Sequence, residues 1–252
     1  MLLVIDVGNT NTVLGLYDGE TLAGSWRITT DARATADEMM LSIRGLLQGA
    51  PAVSGIALCS TVPSVLREMR LMLERYWSDV PRVIVEPGVK TGVPILTDNP
   101  KEVGTDRIVN TLAAHSLFGG PSIVVDFGTS TNLDVVSAKG EFLGGALAPG
   151  IEISLDALAQ RAAQLRKVEI VRPRSVIGKN TVEALQAGAL YGFAGQVDGL
   201  VDRIIDELGP VTAVIATGGL APIVVPESRT ITHHVPDLTL VGLRLVYERN
   251  RE

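Results

Sequence analysis

The sequence predicts an α/β protein built from two related lobes. The segment V-I-D-V-G-N-T-N-T from Val4 resembles V-V-D-F-G-T-S-T-N from Val124, at an offset of 120 residues. Downstream, D-G-E-T-L-A-G from Asp18 resembles K-G-E-F-L-G-G from Lys139, at an offset of 121 residues. Both copies have an apolar strand, an Asp-x-Gly loop, a second strand and a Gly-Glu pair in the same order. This order indicates an internal duplication, with lobes at residues 1–118 and 119–252.

Each predicted element follows from a local pattern of apolar residues. Short apolar runs that stop at Gly, Asn, Asp or Pro are typical of strands. They occur at residues 2–5, 13–17, 55–60, 82–85, 122–125, 133–137, 213–216 and 223–225. Apolar residues at spacings of three and four predict helices at residues 35–47, 63–76, 108–117, 154–165 and 181–208. Ser154 and Thr181 are the expected N-caps of the last two helices.

The composition is that of a folded protein with no sign of a nucleic-acid or membrane partner. Of the 252 residues, 46% are hydrophobic and 20% are charged, which is typical of globular proteins. The formal net charge of −6 argues against nucleic acid, because an acidic surface repels a phosphate backbone. The single cysteine, Cys59, allows no disulfide framework and fits a buried core thiol. With no basic leader and no apolar run of roughly 18 residues, we expect a cytoplasmic protein.

The longest predicted helix carries glycine along one face. Gly188, Gly192, Gly195 and Gly199 are spaced by four, three and four residues. A glycine inside a helix costs roughly 1 kcal/mol relative to alanine. Four glycines on one face therefore indicate that another part of a protein packs very close to it. That neighbour is either the chain's own sheet or a second subunit.

The loop after the first strand carries the groups that a polyphosphate requires. Residues 6–12 read D-V-G-N-T-N-T, and Gly8 lets the backbone approach a ligand. Backbone N–H groups, hydroxyls and amides in such a loop can bind phosphate oxygens. Asp6, at the strand end, can hold Mg²⁺ directly or through water. An ordinary hairpin turn is the alternative, which the repeat of the pattern at Asp126 disfavours. Elsewhere in the chain, residues 178–181 (G-K-N-T) look like the end of a Walker A loop. That motif is excluded, because it requires Gly five residues before Gly178 and the chain has Pro173 there.

A second polar segment, Gly104 to Arg107, opens a predicted helix. The helix start and the guanidinium of Arg107 both favour an ionised Asp106. An ionised Asp can accept the proton of a substrate hydroxyl during phosphoryl transfer. A helix cap with a surface Asp–Arg pair is the alternative.

A third segment, Thr217 to Leu220, follows another strand. Its two glycines would let a flat group approach the backbone closely, and a plain strand-to-helix turn is the alternative.

These motifs together resemble the type III pantothenate kinases. The resemblance rests on D-V-G-N-T-N-T, G-T-D-R, D-F-G-T-S-T, G-E-F-L-G-G-A-L-A-P-G-I and T-G-G-L, which begin at Asp6, Gly104, Asp126, Gly140 and Thr217. The motifs follow one another over nearly the whole chain. The resemblance implies duplicated actin-like (ribonuclease H-like) ATPase lobes, with mixed sheets flanked by helices. It also implies ATP-dependent phosphorylation of pantothenate to 4′-phosphopantothenate, the first step of coenzyme A biosynthesis.

The resemblance further implies a role for each motif residue. Asp106 would be the general base, Asp6 would lie near Mg²⁺ through water, and Asp126 would bind a monovalent cation, K⁺ or NH₄⁺. Pantothenate would contact Gly104, Thr105, Asp106, Arg107 and Thr181. ATP would contact Asp6, Val7, Gly8, Asn9, Thr10, Asn11, Thr12, Val13 and Thr129. The family is dimeric, which implies a homodimer and favours a second subunit at the glycine face.

Two residues depart from the family pattern D-F-G-T-A-T-T. Ser130 stands in place of Ala, and Asn132 stands in place of Thr. Asn132 keeps a polar side chain of different reach, which bears on cation and phosphate affinity.

Two other functions remain as alternatives: a non-catalytic relative that serves as an accessory factor for transcription, and a kinase for a sugar or another hydroxylated acid. The presence of Asp106, Asp126 and Thr129 argues against the first, and the short chain argues against most sugar kinases.

Overall fold

The computed structural model describes residues 1–162 and 168–251. These residues form ten strands and seven α-helices. The strands are β1 (Leu2–Val7), β2 (Asn11–Asp18), β3 (Thr21–Thr29), β4 (Gly55–Ser60), β5 (Arg82–Ile84), β6 (Ser122–Phe127), β7 (Ser130–Val136), β8 (Phe142–Pro149), β9 (Ala213–Thr217) and β10 (His233–His234). The helices are α1 (Ala36–Leu46), α2 (Pro63–Tyr76), α3 (Thr105–Phe118), α4 (Ile151–Arg161), α5 (Thr181–Leu208), α6 (Ala221–Val224) and α7 (Leu238–Asn250).

The chain packs as two compact units. Unit 1 comprises Met1–Gly92, Asn99–Ala113 and Thr239–Glu252, and unit 2 comprises Val93–Asp98 and Ala114–Leu238. The last helix belongs to unit 1, where the Leu240 side chain packs on Gly15 of β2. The compact units are thus interleaved along the chain. The predicted lobes at residues 1–118 and 119–252 describe the two repeated sequence segments, and their single boundary stays a prediction.

Unit 1 is a mixed five-stranded sheet in the order β3-β2-β1-β4-β5. The central strand, β1, pairs antiparallel with β2 and parallel with β4. Helices α1 and α2 cover one face of this sheet, where Ile5, Leu14 and Met69 belong to one core cluster. A capping box at Thr35 starts α1, and Pro63 occupies the first turn of α2. Both helices match their predicted positions.

Unit 2 repeats the architecture of unit 1. Its sheet has the order β10-β9-β6-β7-β8, with β6 antiparallel to β7 and parallel to β9. Strands β6 to β10 therefore take the places that β1 to β5 hold in unit 1. Asp6 and Asp126 are each the fifth residue of the central strand. The predicted duplication, with two mixed sheets flanked by helices, is confirmed.

Helix α5 packs one face on the core of unit 2 and leaves its glycine face open. Leu190 is fully buried in this core. On the other face, a Cβ added at Gly188, Gly192 or Gly195 would meet no atom of the described chain within 4 Å. Close packing of these glycines on the chain's own sheet, one of the two alternatives, is therefore excluded.

The predicted caps of two helices are wrong. The Ser154 hydroxyl donates to Gly150 O at 2.8 Å from inside α4, because the helix already begins at Ile151. At α5 the cap is Asn180, whose Oδ1 accepts from the backbone N–H of Glu183 at 2.9 Å. Helix α4 therefore begins three residues before its expected cap, and α5 begins at its expected cap, Thr181.

Some element predictions also fail or fall outside the described residues. Residues 223–225 were expected to be a strand, but they lie in α6 and the helical turn after it. Strands β3 and β8 and helix α7 were not predicted. The expected apolar position Leu165 lies outside the described residues. In the part of the chain that the structure describes, no helix combines the length and apolar character needed to cross a membrane.

Candidate active site

Asp6 lies near the carboxyl end of β1, in the centre of the unit 1 sheet. In register it pairs with Val13 on β2 and with Cys59 on β4. The Cys59 thiol donates a hydrogen bond to Asp6 Oδ1, with 3.2 Å between sulfur and oxygen. Cys59 is fully buried, whereas Asp6 keeps part of its surface exposed. One oxygen of the Asp6 carboxylate is thus held by a buried thiol.

The loop between β1 and β2 is a tight turn with an accessible crest. The Gly8 N–H donates to Asn11 O at 3.0 Å, which closes the turn. A Cβ at Gly8 would lie 3.2 Å from the same oxygen, so a larger residue would crowd the turn. Asn9 and Thr10 at the crest are exposed. The turn therefore offers backbone and side-chain polar groups to a ligand.

Two residues of the predicted ATP-binding set are buried. Val7 has no exposed surface, and Thr12 is 2% exposed. The Thr12 hydroxyl lies 2.9 Å from the hydroxyl of Thr30, in a hydrogen bond whose donor either residue could be. In this conformation the accessible part of the loop is residues 8–11.

At the start of α3, backbone groups of the neighbouring residues lie close to the carboxylate of Asp106. Thr105 Oγ1 donates to Ser60 O at 3.4 Å, which ties the first residue of α3 to the end of β4. Asp106 Oδ1 accepts from the backbone N–H of Arg107 at 2.9 Å. A Cβ at Gly104 would lie 2.5 Å from that oxygen, so the carboxylate can take this position only because residue 104 is glycine. The predicted segment from Gly104 to Arg107 is a single local structure built around Asp106.

Burial raises the pKa values of both carboxylates. Burial and, to a smaller extent, the negative charge of Asp106 raise the pKa of Asp6 to about 7, against the lowering effect of the Cys59 hydrogen bond. Burial also raises the pKa of Asp106, against the lowering effects of the Arg107 backbone N–H and guanidinium. The expectation that Arg107 favours the ionised form is correct, but burial outweighs it. Burial and the two carboxylates raise the pKa of the Cys59 thiol, which therefore keeps its proton.

The carboxylate pair suits a divalent cation that also binds phosphate. Mg²⁺ usually takes one or two protein carboxylates and completes its shell with phosphate oxygens and water. Among residues 1–162 and 168–251, no group of three or more His, Cys, Asp or Glu side chains is placed to hold a metal by itself. Asp6 and Asp106 offer oxygen ligands only, and a cation would offset the repulsion that raises the pKa of Asp6. The residues present fit Mg²⁺ that arrives with a nucleotide.

In unit 2, Asp126 has a comparable place on β6. In register it pairs with Asn132 on β7 and with Thr217 on β9. A Cβ at Gly218 would lie 2.5 Å from Asp126 Oδ1, so the turn after β9 closes directly against this carboxylate. Gly218 has φ of +93°, a conformation that glycine adopts without strain. The T-G-G-L segment is thus part of the surroundings of Asp126.

The loop between β6 and β7 resembles the turn of unit 1. The Gly128 N–H donates to Ser130 O at 3.0 Å, and Thr129 at the crest is exposed. The Gly150 N–H donates to Thr129 O at 3.1 Å. A Cβ at Gly150 would collide with the carbonyl oxygens of Gly128 and Thr129. The motif that begins at Gly140 therefore packs against this loop through Gly150.

Asn132, the departure from the family pattern, is a buried amide beside the Asp126 position. It is 7% exposed, and its Oδ1 has no hydrogen-bond partner within the described residues. Opposed residues on antiparallel strands point to the same face, so Asn132 and Asp126 share a face of the sheet. A buried amide oxygen without a partner is unfavourable. On this ground we expect the Asn at this position to lower the stability of unit 2.

The predicted site residues fall in both units. Unit 1 contains the segment from Gly104 to Arg107 and the loop at residues 6–13, and unit 2 contains Asp126, Thr129 and Thr181. Thr181 is exposed at the first turn of α5. The neighbour that sequence reasoning missed is Cys59, which was expected to be only a core thiol. Its link to Asp6 becomes visible once β1 and β4 are paired in parallel.

Comparison with known proteins gives the family of the chain. A profile of the family described as type III pantothenate kinase matches residues 2–203. The type III pantothenate kinase of Salinispora arenicola is 69% identical, with 99% of this chain and 100% of the relative covered. The type III pantothenate kinase of Saccharopolyspora erythraea is 70% identical, with 99% of each chain covered.

Solved structures of low sequence identity share the fold. A conserved putative Baf family transcriptional activator from Campylobacter jejuni has a TM-score of 0.60 at 18% identity, with 98% of each chain covered. A ROK hexokinase from Thermus thermophilus has a TM-score of 0.55 at 15% identity, again with 98% of each chain covered. These structural similarities support the duplicated kinase-type fold. The family is assigned from the relatives of high sequence identity. On that evidence, the chain belongs to the type III pantothenate kinase family.

Proposed function

We propose that the chain transfers the γ-phosphoryl group of ATP to the primary hydroxyl of pantothenate, giving 4′-phosphopantothenate. The matches that support this assignment are pantothenate kinases of full length. The observation that carries it is the pair of carboxylates, Asp6 and Asp106, whose charges interact in unit 1. Asp6 is suited to bind a metal ion, and Asp106 is suited to accept a proton.

Asp106 is the general base of the proposed reaction. As the hydroxyl oxygen of pantothenate attacks the γ-phosphorus, its proton moves to a carboxylate oxygen of Asp106. One of these oxygens, Oδ1, already accepts from the Arg107 backbone N–H. Burial raises the pKa of Asp106 towards the working pH, which suits a general base because proton transfer is then more favourable.

Asp6 and the turn at residues 8–11 receive the Mg²⁺-bound phosphates. Asp6 holds the cation directly or through water, and the cation supplies charge neutralisation to the phosphate oxygens. The Gly8 N–H closes the turn, and the accessible residues after it, Asn9, Thr10 and Asn11, offer backbone, amide and hydroxyl groups to the phosphates. The buried residues Val7 and Thr12 support the turn from within.

Unit 2 contributes a second set of ATP-related groups. The exposed Thr129 contacts ATP, as the crest of the matching turn does in unit 1. Asp126 holds a monovalent cation, K⁺ or NH₄⁺. Oxygen donors suit such a cation, and the turn at Gly218 packs directly on the carboxylate. This role of Asp126 rests on the family resemblance and on its match to Asp6 in the repeat.

Pantothenate is bound by the segment from Gly104 to Arg107 and by Thr181. The guanidinium of Arg107 is the cation of this set, and pantothenate carries a carboxylate. Guanidinium and carboxylate can form a pair of charge-assisted hydrogen bonds. Thr181 offers a hydroxyl at the amino end of a 28-residue helix, where the helix dipole also favours negative charge.

The open glycine face of α5 packs on a second copy of the chain, which makes the protein a homodimer. Gly188, Gly192 and Gly195 have open space above them, so a helix of another chain can approach their backbone. Leaving this face exposed to water would retain the helix-propensity cost of each glycine without any packing in return. Because Thr181 begins the same helix, dimer contacts and substrate binding share one element.

A coupled assay of ADP release tests the function. The wild type should release ADP with pantothenate and show no release above background with a panel of sugars. Asp106→Asn should lower kcat by roughly 10²–10⁴ while nucleotide binding persists. The matched control is Asp79→Asn, at an exposed position before β5, which should keep full activity. A fully active Asp106→Asn protein would overturn the assignment of the base, and release with sugars alone would overturn the assignment of the acceptor.

A further inference from the structure

The hydrogen bond between Cys59 and Asp6 joins two adjacent parallel strands at the proposed phosphate site. The two residues are partners in the β1–β4 register. The Cys59 sulfur lies 3.2 Å from Asp6 Oδ1 and donates its hydrogen to that oxygen. Cys59 is 0% exposed, so neither water nor a ligand can reach the thiol. The contact is therefore internal to the protein and present before any ligand binds.

We propose that Cys59 is a positioning residue, whose thiol fixes the orientation of the Asp6 carboxylate for the metal-bound nucleotide. This inference rests on the proposed function, in which Asp6 receives Mg²⁺ with ATP. The thiol donates to one carboxylate oxygen, Oδ1, and the Asp6 residue keeps part of its surface exposed, where a ligand can reach it. Cys59 itself touches neither the substrate nor the metal.

The surroundings explain why this carboxylate needs to be held. Asp106 places a second negative charge close enough to act on Asp6, so repulsion acts on the side chain before a cation arrives. The terminal torsion of an Asp side chain is broad and offers little orientation of its own. The partner of Asp6 on the other side of β1 is Val13, which has no donor in its side chain. Of the two register partners of Asp6, Cys59 is thus the one whose side chain can donate a hydrogen bond.

A series of substitutions at residue 59 separates the hydrogen bond from simple packing. Cys59→Ser keeps a donor of similar size, Cys59→Val fills the space without a donor, and Cys59→Ala removes both. The matched control is Ile56→Val on the same strand, which trims a fully buried side chain in the core without touching Asp6. Thermal unfolding of each protein identifies variants whose folding is impaired.

The main readout is nucleotide affinity, measured by calorimetry with ADP in the presence and absence of Mg²⁺. We expect Cys59→Val and Cys59→Ala to weaken the binding of Mg²⁺-ADP by about three- to tenfold, the range for loss of one ordinary hydrogen bond, because a thiol is a weak donor. Binding of ADP without Mg²⁺ should change less than twofold in the same variants. Cys59→Ser should bind Mg²⁺-ADP as the wild type does, and Ile56→Val should do the same.

Kinetics give a second readout that a packing role would not produce. In Cys59→Val the Mg²⁺ concentration for half-maximal rate should rise, and Cys59→Ser should restore it. Equal Mg²⁺-ADP affinity in Cys59→Val and the wild type would overturn the proposal, as would an equal loss in Ile56→Val. If the wild type does not phosphorylate pantothenate but the calorimetric pattern holds, the positioning role stands and the proposed acceptor is wrong. If kinase activity is present and the pattern is absent, the proposed function stands and the positioning role is wrong.

Discussion

Replacing Asp6 by Asn should stabilise the protein at pH 8 and stabilise it much less at pH 5. The pKa of Asp6 in the folded chain is about 7, above its ordinary value of 3.8. Between these values the folded protein therefore binds more protons than the unfolded chain. Stability is lost as the pH rises from about 4 to about 7, and the full cost of the charged carboxylate is present above that range. Asn keeps the shape and an oxygen that can accept from Cys59, but it carries no charge.

The size of the effect follows from the pKa shift. With about 1.4 kcal/mol for each pKa unit, the wild type loses about 4 kcal/mol at pH 8 and about 1.5 kcal/mol at pH 5. The gain from Asp6→Asn should therefore be about 2.5 kcal/mol larger at pH 8 than at pH 5. Part of the shift comes from the charge of Asp106. In an Asp106→Asn background the difference between the two pH values should shrink.

Urea unfolding followed by tryptophan fluorescence measures this effect. The two tryptophans, Trp26 and Trp77, lie in unit 1 with Asp6, so the signal reports on the relevant part of the chain. Samples should contain EDTA and no nucleotide. Asp18→Asn, at the exposed end of β2, is the matched control for the same substitution away from the site. An equal change at both pH values, or a loss of stability at pH 8, would refute the reasoning.

Three further predictions concern unit 2. The wild type should be faster in K⁺ than in Na⁺ buffer, and Asp126→Ala should weaken that difference; equal wild-type rates in the two buffers would count against a cation at Asp126. Asn132→Thr should raise the unfolding free energy by about 1 kcal/mol, because it removes a buried amide oxygen without a partner, and a lower melting temperature would contradict this. Gly192→Leu should dissociate the dimer by inserting a side chain where two helices approach, as measured by sedimentation; a dimer that survives unchanged would exclude α5 from the interface.

The parts of the fold that were predicted from sequence have strong local signals. Strands β1 and β6 are short apolar runs that end at Asp and Gly, and α2 has a proline at its start. Strands β3 and β8 lack such a signal, because they lie at sheet edges and carry polar residues or glycine between apolar ones. Their strand conformation comes from pairing with β2 and β7. Residues 223–225 looked like a strand by apolar content, yet they form a helical turn that packs in the unit 2 core.

The candidate site shows the same division between local and distant information. Asp6, Asp106 and Asp126 each lie in a short motif that can be read without knowing the fold. The effect of Cys59 on Asp6 depends on two residues 53 positions apart in the chain, which only the strand register brings together. The net rise in the pKa of Asp106 also depends on burial, which the G-T-D-R motif does not encode.

The shared strand order of the two units gives each carboxylate its own pair of neighbours. In unit 1 the residues beside Asp6 are Val13 and Cys59, one apolar and one a weak donor. In unit 2 the residues beside Asp126 are Asn132 and Thr217, both polar. The repeated strand order thus gives two copies of one acidic position, each with its own flanking residues. The polarity around each acid is therefore set on the flanking strands, by residues that the strand order places beside the acid but does not specify.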